Sequence, residues 1–384
     1  MRVCQFRHSG DYELSISNKF TRVKGIIMRL GIIGLPQSGK TTLFNALTRA
    51  TQPTGATGKI EIHTGVVDVP DSRVDRLAEM FKPKKTIYAK VTYVDIAGLD
   101  GSAGKAGIAG ALLNQLAQMD GFIQVVRVFE DENVPHVHNS VDPLRDIQNM
   151  DSEFVLNDLI QVERKLERLQ EEKKKGAGRE KGLIEREQVL FERLHETLSQ
   201  EIPLRDIAID SEEDKLLSGF GFLSRKPMLI VLNLSESQSA PQIEYPHQHS
   251  MVTALQGKLE MDIAQLPAEE AEMFLAEYGI AEPSLNRMIR LSYDLLGLHS
   301  FFTAGEDECR AWTVRKGATA PEAAGEIHTD LQKGFIRAEV VAYDDLMTLG
   351  SMHEAKTHGK LRMEGKEYIV KDGDVLNILF NVKK

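Results

Sequence analysis

The chain has 384 residues, 42% of them hydrophobic and 27% charged, with a formal net charge of −10 and two cysteines. That length allows two or three domains, and no apolar run approaches the ~20 residues needed to span a bilayer. The acidic balance argues against tight, indiscriminate nucleic-acid binding. Cys4 and Cys309 form no disulfide framework, so the sequence reads as reducing and cytoplasmic, with no membrane partner and no sequence-specific DNA.

Residues 1–27 lack the apolar core of a secretion signal. The first strong element is RLGIIGLPQSGKTTL, residues 29–43. Leu30 to Leu35 predict a short strand, and Leu43, Phe44 and Leu47 fall at helical spacing. Between them lies Gly34-x-x-x-x-Gly39-Lys40-Thr41. Glycines let the backbone wrap, so the N–H groups of 37–42 (Gln37, Ser38, Gly39, Lys40, Thr41, Thr42) point at phosphate oxygens. The helix start adds its positive end. Lys40 reaches the β- and γ-phosphates, and the Thr41 hydroxyl suits Mg²⁺. Average residue usage gives on the order of 0.01 chance matches in a chain of this length. A plain Gly-rich turn is the bland alternative.

KVTYVDIAGL, residues 90–99, predicts a second strand ending in Asp95-Ile96-Ala97-Gly98. An acid at such a strand end holds Mg²⁺, and the glycine N–H faces the γ-phosphate. DxxG alone is common; its place after the phosphate loop strengthens it. Leu99 occupies the position where many GTPases carry a water-orienting Gln, and it cannot hydrogen-bond. The Gly/Ala-rich stretch 100–111 reads as a flexible loop or a γ-phosphate sensor, with Lys105 and loop amides as candidates for holding the water. FIQVVRVFED (122–131) predicts a further buried strand.

From Asp151 to Ser199 the chain turns helical and charged. Leu156, Leu159, Ile160, Leu166 and Leu169 mark one stripe; Leu183, Val189, Leu190, Leu194 and Leu198 mark another after a break at 176–178. The expectation is an antiparallel helical hairpin with each stripe buried on the other. Its tip, KKKGAGREK (173–181), is basic: either a solvated charge run or a contact for RNA phosphates. MLIVLNLS then supplies a strand ending at Asn233, and SMVTAL (250–255) a last one before helical segments. Strands alternating with helices predict a parallel sheet covered on both faces, with ligands at the strands' carboxyl ends. Trp312 reads as core, and His328 as a structural histidine with no metal spacing around it.

Taken together, GLPQSGKTTLFNALT, VDIAGL, VVRVFED and NLSE resemble the YchF group of Obg-like ATPases. The stretches 305–341 and 368–382 look like that family's TGS domain, and the resemblance covers about residues 28–384. It implies an α/β P-loop G-domain (28–140 and 203–297), interrupted by a helical hairpin arm (141–202) and followed by a β-grasp, TGS-like domain (298–384). Strands are expected at AWTVRK, FIRAEVV, KEYIV and VLNILF, around a short helix near PEAAGEI. Residues 1–27 have no counterpart in the family and read as a disordered extension or an upstream start.

The resemblance also implies ATP hydrolysis, with GTP as an alternative, and association with the ribosome through the large subunit or its rRNA. The family's NxxE element matches Asn233 and Glu236, and the residue lining the base pocket falls on Leu234. A glutamate there is one methylene longer than the aspartate that reads guanine N1 and N2, which favours adenine. Two departures stand out. Gln37-Ser38 replaces the family's Asn-Val, which bears on potassium use. The first-switch Thr position falls on Lys59, with Thr57 two residues away. The sequence therefore reads as a Mg²⁺-dependent P-loop triphosphatase, with Lys40 and Gly98 catalytic and Thr41 and Asp95 on the metal. The alternative is a ribosome-docking module that holds nucleotide and barely turns it over; a nucleotide kinase fits less well.

Overall fold

Buried apolar strands interleaved with helices set the architecture of the computed structural model, which describes residues 2–3, 28–52, 62–96, 108, 110–175, 180–236, 238–278 and 280–381. The chain divides into two units. One comprises Met28–Val66 and Thr92–Leu295; the other comprises Met1–Ile27, Val67–Val91 and Leu296–Lys384. Elements are numbered along the chain.

In the first unit, β2 (Arg29–Ile33), β3 (Ile62–Asp68), β5 (Lys90–Ile96), β6 (Gly121–Arg127), β7 (Met228–Asn233) and β8 (Ser250–Leu255) form one sheet, ordered β3-β5-β2-β6-β7-β8. β2 pairs in parallel with β5 and β6, and β7 with β6 and β8. Every residue of β6 and β7 is buried. Such continuous burial is what a central parallel strand covered on both faces demands. Helices α1 (Lys40–Thr48), α3 (Gly110–Ala117), α7 (Gly257–Gln265), α8 (Ala268–Glu277) and α9 (Ser284–Leu295) belong to this unit. One core, including Ile33, Ile96, Leu116, Phe122, Phe154 and Leu232, runs from the sheet to the root of the arm.

The arm is a pair of helices, α4 (Pro143–Lys175) and α5 (Lys181–Ser199), packed on each other as expected. Its seam keeps Leu169, Leu190, Leu194 and Leu198 from the expected stripes, with Leu159 and Leu166 packed against it, and differs elsewhere. Leu156, Leu183 and Val189 are exposed, at 37, 44 and 68%. The seam is built by Val155, Val162, Leu169, Ile184, Leu190, Phe191, Leu194 and Leu198. The helical phase also brings in Val155, Val162, Ile184 and Phe191, which the expected stripes left out. A polar clasp, Lys165 Nζ to Glu187 Oε2 at 2.7 Å, spans the seam. At the tip, residues 176–179 lie outside the described residues. A 3₁₀ turn (Leu204–Asp206) and α6 (Ser211–Leu217) lead back to β7.

The second unit holds a mixed sheet ordered β12-β11-β13-β9-β10-β4, with β1 (Arg2–Val3) on β13. Its strands are β4 (Lys85–Ile87), β9 (Leu298–Ala304), β10 (Glu308–Arg315), β11 (Phe335–Ala342), β12 (Arg362–Glu364) and β13 (Asp374–Phe380). Helices α2 (Ser72–Phe81), α10 (Ala320–Ile327), α11 (Thr329–Lys333), α12 (Tyr343–Leu349) and α13 (Met352–Thr357) accompany them. Trp312 is core, 7% exposed, and donates from Nε1 to Thr303 Oγ1 at 2.9 Å. His328 accepts from Asp330 N through Nδ1 and so starts α11.

Two expectations need correction here, and one strand went unanticipated. Residues 67–91, placed by the sequence in the stretch 28–140, pack in this unit: β4 pairs in parallel with β10, Thr86 opposite Cys309. KEYIV (366–370) is not a strand; it contributes one bridge, Ile369 to Thr319, and Ile369 is 46% exposed. LHSFFTA, which the reading omitted, is the buried strand β9. Apart from β1, the segment read as an N-terminal extension lies outside the described residues.

Candidate nucleotide site

The loop between β2 and α1 folds as its glycines require. Gly34 has φ 146°, and a Cβ there would lie 2.4 Å from Val125 O. Gly39 has φ 99°, and a Cβ there would meet Asn233 Nδ2 at 2.2 Å. Neither position accepts a side chain. Gln37 also takes a left-handed backbone, φ 60°, and is exposed. No acid occupies the first turn of α1, so nothing on that turn offsets the helix's positive end.

Lys40 lies across this loop. Its Nζ donates to Gly34 O and Leu35 O, each at 2.9 Å. Burial pushes its ammonium down to about 8, with Asp95 pulling the other way. A phosphate beside it would restore the charged form. Thr41 Oγ1 donates to Asp95 Oδ2 at 3.0 Å, so the end of β5 meets the start of α1 as expected. Asp95 is 4% exposed and its Oδ1 is buried without a hydrogen-bond partner among the described residues. Burial raises its pKa, opposed by the Thr41 hydrogen bond, Lys40 and His63. A hard cation suits this donor set: hydroxyl and carboxylate oxygens with the remainder left to water and phosphate. Among the described residues there is no cluster of three or more His, Cys, Asp or Glu that could form an all-protein metal cage. Ser38 Oγ is likewise buried and has no partner among the described residues, and Thr42 is half-buried.

Asn233 sits at the end of β7, 5% exposed. Its Nδ2 donates to Ser38 O and its Oδ1 accepts from Gly257 N, both at 3.0 Å. It therefore braces the phosphate loop and caps α7, which commits one of its two amide hydrogens. Leu234 is 9% exposed and packs in the sheet core. Glu236 is exposed, and its carbonyl accepts from Gln256 Nε2. Gly98, Leu99, Lys105, Thr57 and Lys59 lie outside the described residues.

Two groups at this end of the sheet escaped the sequence reading. His63, on β3, acts electrostatically on Asp95. Arg127 pairs in register with Asn233, is 3% exposed, and donates from Nε to Phe129 O at 3.0 Å while stacking on the Phe129 ring. Val128 N donates to Asn233 O, so the 128–131 loop is tied to the Asn233 corner. A charged residue closing an otherwise apolar strand, as in FIQVVR, was the available signal.

Comparison with known proteins agrees with this geometry. Residues 29–175 match a family described as "50S ribosome-binding GTPase", and 298–381 match the C-terminal family of YchF GTPases, described as a protein of unknown function. The "Ribosome-binding ATPase YchF" of Bacillus subtilis is 42% identical over 369 residues, covering 92% of this chain and 99% of that one. That of Escherichia coli O157:H7 is 42% identical over 364 residues, with coverage of 92% and 99%. The solved YchF GTPase of Schizosaccharomyces pombe superposes with a TM-score of 0.77 at 30% identity, covering 94% of this chain and 100% of that one. With a phosphate loop, an Asp95 corner and this similarity over nearly its whole length, the chain belongs to the YchF family.

Proposed function

We propose that this chain is a Mg²⁺-dependent P-loop triphosphatase that hydrolyses ATP and works at the ribosome in the cytoplasm. One observation carries the chemistry: a buried carboxylate, Asp95, shares one oxygen with Thr41 and leaves the other without a donor among the described residues. A buried oxygen left so is destabilising unless a cation meets it. Thr41 and Asp95 would hold Mg²⁺, which when bound neutralises charge on the phosphate oxygens. Lys40 and the amides of 37–42 stabilise charge on the transferred phosphoryl group. Gly98, by its place after Asp95, offers its N–H to the γ-phosphate.

Adenine is favoured because Glu236 departs from the guanine-reading aspartate; GTP is the alternative substrate. Leu99 cannot hydrogen-bond to water, so intrinsic turnover is slow unless Lys105 or a loop amide holds the water. That favours, as a second reading, a docking module that holds nucleotide. Ribosome association follows the printed names of the relatives. Lys173, Lys174 and Lys175 at the arm tip are proposed to meet rRNA phosphates of the large subunit.

Phosphate release from ATP and GTP, with and without ribosomes, tests this. Mg²⁺-dependent release from ATP, raised by ribosomes, is expected. Tight nucleotide binding with no release in either condition would replace hydrolysis by the docking reading. No binding of either nucleotide would overturn both.

A further inference from the structure

Residues 218–226, SGFGFLSRK, touch two parts of the first unit that the nucleotide chemistry leaves unconnected. One is α3, the first helix after the Asp95 strand among the described residues. Lys226 Nζ donates to Ala117 O at 2.7 Å and to Met119 O, so it caps the carboxyl end of α3. Gly221 has φ 61°, and a Cβ there would stand 2.9 Å from the Ala117 Cβ. The other part is the arm. Asp158, on α4 and 0% exposed, accepts from Leu223 N at 2.9 Å, and from Ser224 N and Ser224 Oγ at 2.7 Å each. Ser224 also accepts from Leu204 N at Oγ and from Arg205 N at its carbonyl, beyond the end of α5. Adjacent side chains enter different cores: Phe222 the arm seam, Leu223 the sheet core.

We propose that residues 218–226 are a strap coupling the position of α3 to the root of the helical arm, with Lys226 as its positioning residue. The inference rests on the nucleotide reading above. Close-packed interiors do not deform continuously, so a shift of α3 against Ala117 and Met119 moves the strap as a body. Asp158 then passes that shift to α4, because its three acceptor contacts fix Leu223 and Ser224 relative to the helix. By reciprocity, a load on the arm biases α3 and hence the nucleotide state.

Hydrogen exchange on the full chain tests this, with Mg²⁺ and either ADP or a non-hydrolysable ATP analogue, after calorimetry has measured binding of each. In the wild type, the amides of Leu204, Leu223 and Ser224 are expected to differ between the two states by about fivefold, the low end of allosteric coupling factors. Lys226→Met is expected to remove that difference while both nucleotide affinities stay within about twofold, and Lys226→Arg to restore it; twofold corresponds to under 1 kcal/mol. A wild-type difference confined to residues before 118 overturns the strap, whatever the variants do. A difference that survives Lys226→Met overturns the role of Lys226. Absence of binding heat defeats the nucleotide reading and the strap with it; heat without the exchange difference defeats the strap alone.

Discussion

Asn233→Ala separates bracing from base reading. The side chain is 5% exposed, and its two polar atoms are committed to Ser38 O and Gly257 N. Truncation leaves a carbonyl of the phosphate loop and an N–H at the start of α7 without partners. Each unsatisfied buried group costs about 1–3 kcal/mol. Water reaching the Ser38 carbonyl reduces its share, so a loss of about 2–4 kcal/mol is expected in urea unfolding without nucleotide. Affinity for ATP and GTP falls together, by at least about tenfold, as the loop loses its brace. Asn233→Asp is worse for binding, since one oxygen still accepts from Gly257 N but the other faces the Ser38 carbonyl and brings negative charge towards the phosphates. Calorimetry with both nucleotides and urea titration of all three proteins decide the matter. An unfolding loss below about 0.5 kcal/mol for Asn233→Ala, with only the ATP/GTP ratio changed, would refute the bracing argument.

Asp95→Asn removes the carboxylate whose burial is unfavourable, so stability without nucleotide is expected to hold or rise by ~1 kcal/mol while Mg²⁺-dependent phosphate release falls on the order of 100-fold. Parallel unfolding and release assays check both halves. Lys40 titrates near 8 and a triphosphate selects its charged form, so nucleotide affinity should be steady below pH 7 and fall through pH 8–9. Proton uptake in calorimetry near pH 8.5 gives the sign. Replacing Lys173, Lys174 and Lys175 by Gln should weaken ribosome co-sedimentation and flatten its log–log salt slope by about 2–3, if each lysine meets one phosphate. Unchanged sedimentation makes the tip solvated surface.

The phosphate loop was legible because its chemistry fixes residue types: only glycine fits at 34 and 39, and Lys40 and Thr41 follow at set spacing. The arm was legible as a hairpin and in part of its phase: Leu169, Leu190, Leu194 and Leu198 lie in the seam, but Leu156, Leu183 and Val189 are exposed and Val155, Val162, Ile184 and Phe191 take their place. β9 was missed because His299 and Ser300, both buried, interrupt its apolar pattern. The partnership of β4 had no local signal: Lys85–Ile87 reads like any edge strand, and its partner lies far along the chain. Lys226 and Asp158 looked like ordinary surface charges, because burial is decided by tertiary packing.

That distant partnership has a consequence for biosynthesis. The ribosome completes α2 and β4 early, with Val74 and Leu77 of α2 destined to be 0 and 1% exposed. Their sheet, β9 and β10, is translated only after the arm and most of the first unit. At about 5–20 residues per second, the early pieces wait on the order of 10–40 s before their partners emerge. A nascent chain of this kind holds an open strand edge and an apolar helix face at the tunnel mouth, which makes it a natural client for ribosome-associated chaperones, and a gene cut near Leu296 would keep the first unit whole while dividing the second between two fragments.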